Sequence, residues 1–125
     1  MLRQIVVNVA LGNTDAHAKN YAFLYEKTSL PTLSPLYDVV PVVDVEPRAR
    51  HLSLRIDGEI VADRVTRESL IRESMGWGLG RSTVEALIDE VLAALEAGIE
   101  RASQIYPAAG ARHAELAAAR IARLS

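Results

Sequence analysis

The sequence predicts an α+β fold, mainly helical, and three observations predict it. The first 62 of the 125 residues mix a helical apolar run with short alternating stretches. A strong hairpin turn, Asp57-Gly58, sits between two of those stretches. From Thr66 onward, apolar residues recur at helical spacing. A helix-rich part following a mixed part is the pattern of an α+β chain rather than of alternating βαβ units. The length suits one domain, residues 1–125, divided into a mixed part, 1–62, and a helical part, 63–125.

Taken in order, Leu2, Ile5, Val6, Val9 and Ala10 share a helical stripe, with Val7 and Leu11 apolar as well. An element apolar nearly all round is a buried one. A strand is the competing reading, and a helix ending at Gly12 is preferred. Residues 21–36 read as a β-hairpin whose loose turn is punctuated by Thr28, Ser29 and Pro31. Pro41 limits whatever follows. Leu52, Leu54 and Ile56 alternate with polar residues before Asp57-Gly58, and Ile60 and Val61 resume the pattern. Thr66 is suited to cap a helix over 67–75 that Gly76 ends. Ser82 and Glu85 have capping-box spacing. Behind them Val84, Leu87, Ile88, Val91, Leu92, Leu95, Ile99 and Ala102 predict a helix over about 83–105, stopped by Pro107. A weaker helix covers 110–123, with Arg120 and Arg123 suited to its own C-terminal dipole.

Composition narrows the functional classes. Half the residues are hydrophobic, enough for a core, and net charge is −2. Nothing in this balance suggests a dominant polyanion-binding surface or a basic membrane patch. The absence of cysteine excludes disulfides and thiolate metal sites and fits a reducing compartment. No run approaches the roughly 20 apolar residues of a transmembrane helix. The N-terminal MLRQIVVNVALG is basic then apolar, but Asn8 breaks the run and no A-x-A site follows, so it is not read as a signal peptide. A cytoplasmic protein is expected.

The chemistry concentrates in LGNTDAHAKNYAFL, residues 11–24, where Asn13, Asp15, His17, Lys19 and Asn20 stand between two apolar runs. Asp15 and Asn20 are five residues apart. On a helix they would point about 140° apart, and on a strand to opposite faces. They converge only in a curled loop, which Gly12 and Asn13 permit. An acid followed five residues later by an amide is the spacing of a protein-kinase catalytic loop. There the acid accepts the proton of the attacking hydroxyl and the amide oxygen helps hold Mg²⁺. Hard Mg²⁺ takes few protein oxygens and keeps several waters, and a second carboxylate must hold it over the phosphates. Asp38, in LSPLYDVVP, is placed for this, 18 residues past Asn20 and beyond one hairpin.

NVALGNTDAHAKNYAFL followed by LSPLYDVVP resembles the catalytic core of the HipA family, bacterial serine/threonine kinases that are the toxins of toxin–antitoxin pairs. The Asp-x-His-x-x-Asn order is also similar to that of phosphoinositide kinases. HLSLRIDGEIVADRVTRESL resembles the HipA family's C-terminal half, so the resemblance covers essentially the whole chain. It implies the C-terminal lobe of a protein-kinase-like fold, with short hairpins around the catalytic loop. It implies that Asp15 is the catalytic base and that Asn20 and Asp38 are Mg²⁺ ligands. His17 would face the phosphates or brace the loop, Lys19 would reach a phosphate or solvent, and Asn8 and Asn13 would tie the loop down. ATP would be the phosphoryl donor and a serine or threonine of a protein, of the translation machinery, the acceptor. A DNA-binding antitoxin would be the partner.

The departures are equally specific. A full family member is several times longer. Only 14 residues precede Asp15, and no glycine-rich phosphate loop or ATP-anchoring lysine lies before it. GWGLGRST, residues 76–83, reads as a connection between helices. The chain therefore resembles the catalytic lobe alone, inactive until an N-terminal nucleotide-binding lobe joins it.

Competing readings attach to the same residues. The cluster alone could satisfy turns and helix ends, and Asp38 could pair with Arg48 or Arg50. Asp44 and Glu46 read as solvated loop charges, His51 as a surface residue, Trp77 as packing, and Tyr37 as wedged under the site. A helix-turn-helix over 66–95 is disfavoured because Glu85, Asp89 and Glu90 make its second helix acidic. A non-catalytic module binding an antitoxin or substrate protein is the leading alternative. A metal hydrolase using Asp15, His17, Asp38 and His51 ranks last. The face that would meet a nucleotide lobe is expected to be apolar and to drive self-association.

Overall fold

The computed structural model describes residues 1–27 and 29–125, the side chains of 108–110 excepted. Five helices are described: α1 (Leu2–Leu11), α2 (Val42–Val45), α3 (Arg67–Gly76), α4 (Arg81–Ile105) and α5 (Pro107–Leu124). Two antiparallel two-stranded sheets accompany them. β1 (Phe23–Leu24) pairs with β2 (Thr32–Leu33), and β3 (His51–Ile56) with β4 (Glu59–Val61). The fold is α+β and mainly helical. Single 3-10 turns lie at Ala18–Asn20 and Ala62–Arg64.

Both hairpins fall where the sequence places them, but β1 and β2 are only two residues each. Their turn residue Thr28 lies outside the described residues. At the second hairpin Asp57 and Gly58 both take positive φ, 52° and 78°, as a tight turn matching the strand twist requires. Thr66 caps α3 in a reciprocal pair with Ser69. The expected Ser82–Glu85 capping box is not formed. Helix α4 starts two residues earlier, at Arg81 after Gly80, so Ser82 is already inside it. Glu85 instead pairs one turn back with Arg81 at 2.9 Å. Pro107 ends α4 by opening α5, whose first turn needs no N–H at that position.

The core is assembled from faces of these elements. Val6 and Ala10 of α1, Leu70 and Ile71 of α3, Val84 and Ile88 of α4, and Ile121 and Leu124 of α5 are buried together with Val65. Leu52 and Ile56 close it from β3. Helix α1 is the central element, buried along most of its length and packed on α4 and α5. Its all-round apolar character follows from this position.

The C-terminus of α1 sets the course of the chain into the polar cluster. Gly12 adopts φ 76°, and the amides of Gly12 and Asn13 return to the carbonyls of Val9 and Asn8. The remaining two carbonyls are taken from an unexpected quarter. Arg120 of α5 donates through Nε to Ala10 O at 2.9 Å and through Nη2 to Leu11 O at 3.1 Å. The same guanidinium binds both oxygens of Asp44, at 2.8 and 3.1 Å. Two expectations are corrected here. Arg120 serves the end of α1 rather than that of its own helix, because α5 crosses α1 there. Asp44 is not a solvated charge: its side chain is 2 % exposed. Arg123 likewise turns away from its own helix end, to the carbonyls of Ala62 and Asp63.

Two outcomes follow. Gly12→Ala should lower the denaturant midpoint with an unchanged slope. A left-handed alanine costs about 1–2 kcal/mol, and its Cβ would lie 2.5 Å from Val43 Cγ2. Burial pushes the Asp44 carboxyl up, but bonds and charge from Arg120 and His113 overcome this and leave it below its ordinary value. A carboxylate so lowered stabilises the fold above its unfolded pKa of about 4, and that stability is lost as pH falls through the folded value. Asp44→Asn should therefore flatten the acid limb of the stability profile, measured by urea titration at a series of pH values.

Candidate active site

The site grows from the end of α1. Asn8, in its last turn, and Asn13, just past its end, are both buried amides. Asn13 Nδ2 donates to Asn8 Oδ1 at 3.0 Å and to the Asp38 carbonyl at 3.2 Å. Its Oδ1 accepts the Asp15 backbone N–H at 3.2 Å. One side chain thus touches the segments that carry Asp15 and Asp38. Asn8 Nδ2 in turn donates to the Tyr21 hydroxyl at 3.3 Å, and burial pushes that phenol up. Thr14 fixes the loop on its other side. Its hydroxyl donates to Ala49 O at 2.8 Å, and its carbonyl accepts the Ser53 N–H of β3 at 2.9 Å.

These ties hold the loop against β3 and against the segment that carries Asp38. Asp15 is exposed, and Ser53 Oγ donates to its carboxylate at a long 3.4 Å. Asn20 ends the single 3-10 turn and is buried. Its Nδ2 lies 3.4 Å from Asp38 Oδ2. Asp38 itself has φ 55°, a left-handed conformation that Asp tolerates better than most residues and that marks a constrained position. Tyr37 is half-exposed rather than wedged beneath the site. Its hydroxyl donates to the Lys19 carbonyl at 2.5 Å, so it ties the loop from outside. Gln4 of α1 holds the approach to Asp38, donating to Ser34 O at 2.6 Å.

His17 lies partly buried, with its Nδ1 turned inward and without a hydrogen-bond partner. Lys19 is exposed. His51 is an exposed residue of β3, as expected of a surface histidine. Asp38 does not pair with Arg48 or Arg50; the Arg50 guanidinium goes to Asp63. Among the described residues no three His, Asp or Glu side chains converge as a metal cage, so Asp15, His17, Asp38 and His51 do not form a hydrolase ligand set. What Asn20 and Asp38 present is different: an amide and a carboxylate side by side. The two oxygens of an amide and a carboxylate are hard donors, and cis ligands of a Mg²⁺ ion stand about 3 Å apart. The amide can turn its oxygen to Asp38 without moving its plane. The donor set fits Mg²⁺.

A groove of about 440 Å³ opens beside the loop. Ile5 and Val9 of α1, Asn13, Tyr21, Leu54 of β3 and Trp77 are among its walls.

Residues 1–99 match the family model described as the HipA-like C-terminal domain. The chain belongs to that family. Among its HipA-like relatives is the serine/threonine-protein kinase toxin HipA of Shewanella oneidensis, 35% identical over 83 residues. That match covers 66% of this chain and 19% of the relative. The Sinorhizobium fredii protein Y4mE, described as a candidate kinase, is 28% identical over 110 residues, 85% of this chain and 26% of that one. HipA in the solved complex of Shewanella oneidensis HipA, HipB and operator DNA superposes with a TM-score of 0.74. At 24% identity, the match covers 98% of this chain and 28% of that one. The chain spans about a quarter of the length of the HipA-like proteins it matches.

The sequence singles out Asp15, Asn20 and Asp38 and the amides Asn8 and Asn13, and hydrogen bonds of Asn13 and Asn20 link their segments in the structure. It passes over Thr14 and Ser53, and it places Tyr37 at the site but beneath it rather than outside the loop. Ser53 carries only the alternation of β3 as a signal, and Thr14 and Tyr37 only their adjacency to the two acids.

Asn13→Ala should destabilise the chain by about 1–3 kcal/mol, because it leaves Asn8 Oδ1 buried without a donor. Denaturation would give the loss, and amide spectra should show the Asp15 and Asp38 resonances displaced together. Displacement of one without the other would contradict the bridging role.

Proposed function

We propose that this chain is the catalytic C-terminal lobe of a HipA-like serine/threonine protein kinase, transferring the ATP γ-phosphoryl group to a protein hydroxyl. The observation that carries this is the adjacency of Asn20 and Asp38 at the mouth of a loop that Asn13 ties to Asp15. Asn20 and Asp38 would hold Mg²⁺, which supplies neutralisation of charge on the phosphates.

The chain's own residues do the remainder. Asp15 is the base: exposed and bound only loosely by Ser53, its carboxylate is open to accept the proton of an incoming serine or threonine hydroxyl. That oxygen attacks the γ-phosphorus as the bond to the leaving ADP oxygen breaks. Ser53 orients the carboxylate. The His17 backbone braces the loop, its N–H donating to Asp15 O at 2.7 Å and its carbonyl accepting the Asn20 N–H at 2.9 Å. Lys19, exposed on the loop between His17 and Asn20, is a cation beside the site and a contact for phosphate. Phosphoryl transfer depends on position and charge more than on covalent chemistry, so a braced loop is its main requirement.

The nucleotide must also be covered, and this falls to an N-terminal lobe. Exposed Phe23, Leu24, Tyr25 and Leu30, on and beside the first hairpin, support that reading. A toxin partnered by a DNA-binding antitoxin, with a substrate in the translation machinery, is the cellular setting this reading carries.

Mixing the chain with a separately expressed N-terminal lobe, ATP, Mg²⁺ and an acceptor protein should yield phosphoserine or phosphothreonine. Asp15→Asn should reduce the rate about 10²- to 10⁴-fold. Wild-type rates in that variant would contradict the assignment. In isolation, the exposed hairpin should make the chain self-associate in sedimentation, and a monomer at high concentration would count against the apolar docking face.

A further inference from the structure

We propose that Arg120, carried by the last helix, is a positioning residue for the site: it sets the conformation of the loop bearing Asp15 and Asn20. The inference rests on the reading of Asp15, Asn20 and Asp38 as a phosphotransfer site. It goes beyond the family match, which ends at residue 99 and leaves α5 out.

The geometry points to a clamp rather than a lone ion pair. The Arg120 side chain is 11 % exposed, and its guanidinium makes four hydrogen bonds, two to the last carbonyls of α1 and two to Asp44. A planar fork with five N–H groups can make four such bonds at once; an ammonium has only three donors. Both targets lead directly to the site. Leu11 is followed by Gly12, Asn13 and Asp15. Asp44 lies six residues after Asp38, and beside it the Val43 N–H donates to Gly12 O at 3.2 Å. The two segments that carry the acids are therefore held together by one side chain from a third. The fit is close. A Cβ on Gly12 would lie 3.0 Å from the Arg120 Cζ.

The experiment compares the ¹⁵N-labelled full chain as wild type, Arg120→Lys and Arg120→Ala. Hydrogen exchange is read at Asn13 and Asp15, with Val84 and Ile88 of α4 as internal reference. Arg120→Lys keeps a charge and loses the fork, so it reports even if Arg120→Ala does not fold. Loss of charged hydrogen bonds predicts loop exchange accelerated about ten- to a hundredfold more than that of the α4 amides, which report any global loss of stability. The Asn20 and Asp38 resonances should shift in the same variants. Equal acceleration of loop and α4, or no acceleration in either, would overturn the proposal, since a merely structural pair moves all amides together.

Mn²⁺ alone, added to each protein, separates this from the phosphotransfer reading. Selective broadening of Asn20 and Asp38 in the wild type, needing more Mn²⁺ in Arg120→Lys, supports both. No broadening in the wild type counts against the metal site, while the exchange rates still decide the clamp.

Discussion

Everything near the site depends on how the C-terminus of α1 is closed. A helix end leaves four carbonyls without intrahelical donors, and this one is packed inside the protein. Water cannot serve it. Asn13 N–H, Gly12 N–H and two donors of Arg120 account for all four, from Asn8 to Leu11. Each solution constrains something else. The Gly12 bond demands a left-handed residue with no side chain. The Asn13 bond fixes where the loop starts. The Arg120 bonds demand that α5 lie across α1 and that a carboxylate neutralise the buried cation. Asp44 meets that demand, and in doing so anchors the segment that follows Asp38. Removing one partner of such a buried pair typically costs about 3–5 kcal/mol, so these contacts persist or fail as a group.

The buried amides add precision to that anchorage. Asn13 makes one contact to the helix, one to the Asp15 backbone and one to the Asp38 backbone. Each neutral bond is worth only about 1 kcal/mol net. On the proposed function their value lies in geometry, because a phosphotransfer base and a metal pair would have to keep their spacing without help from substrate. The left-handed Asp38 fits the same account. A backbone in that region persists when its surroundings over-determine it, and here the Asn13 amide grips its carbonyl while the Asn20 amide meets its carboxylate.

How much of this could be read from the sequence depended on whether the signal was local. Gly12 after an apolar run, Asp57-Gly58 between alternating strands and Thr66 before a helix are short-range rules, and each element formed there. The acid–amide spacing points to a loop because neither a helix nor a strand turns those two residues the same way. Ser82 and Glu85 misled because the box motif ignores the tertiary pull of Arg81, which pairs with Glu68 as well as Glu85 and lengthens α4. Arg120 was assigned to its own helix end because the dipole rule is local, whereas its partners lie 76 to 110 residues away. Asp44 looked solvated for the same reason: nothing near it in sequence would bury it. Distant polar pairs leave no periodicity, and the site's supports are of that kind.

The central claim is that a chain about a quarter the length of its HipA-like relatives carries a preformed half of a kinase site. Calorimetric titration of the isolated chain with ATP, with and without Mg²⁺, tests it most directly. Saturable binding that requires Mg²⁺ and disappears in Asp38→Asn is the predicted result. Binding indifferent to Mg²⁺ or to Asp38, or none at millimolar nucleotide, would contradict a preformed site.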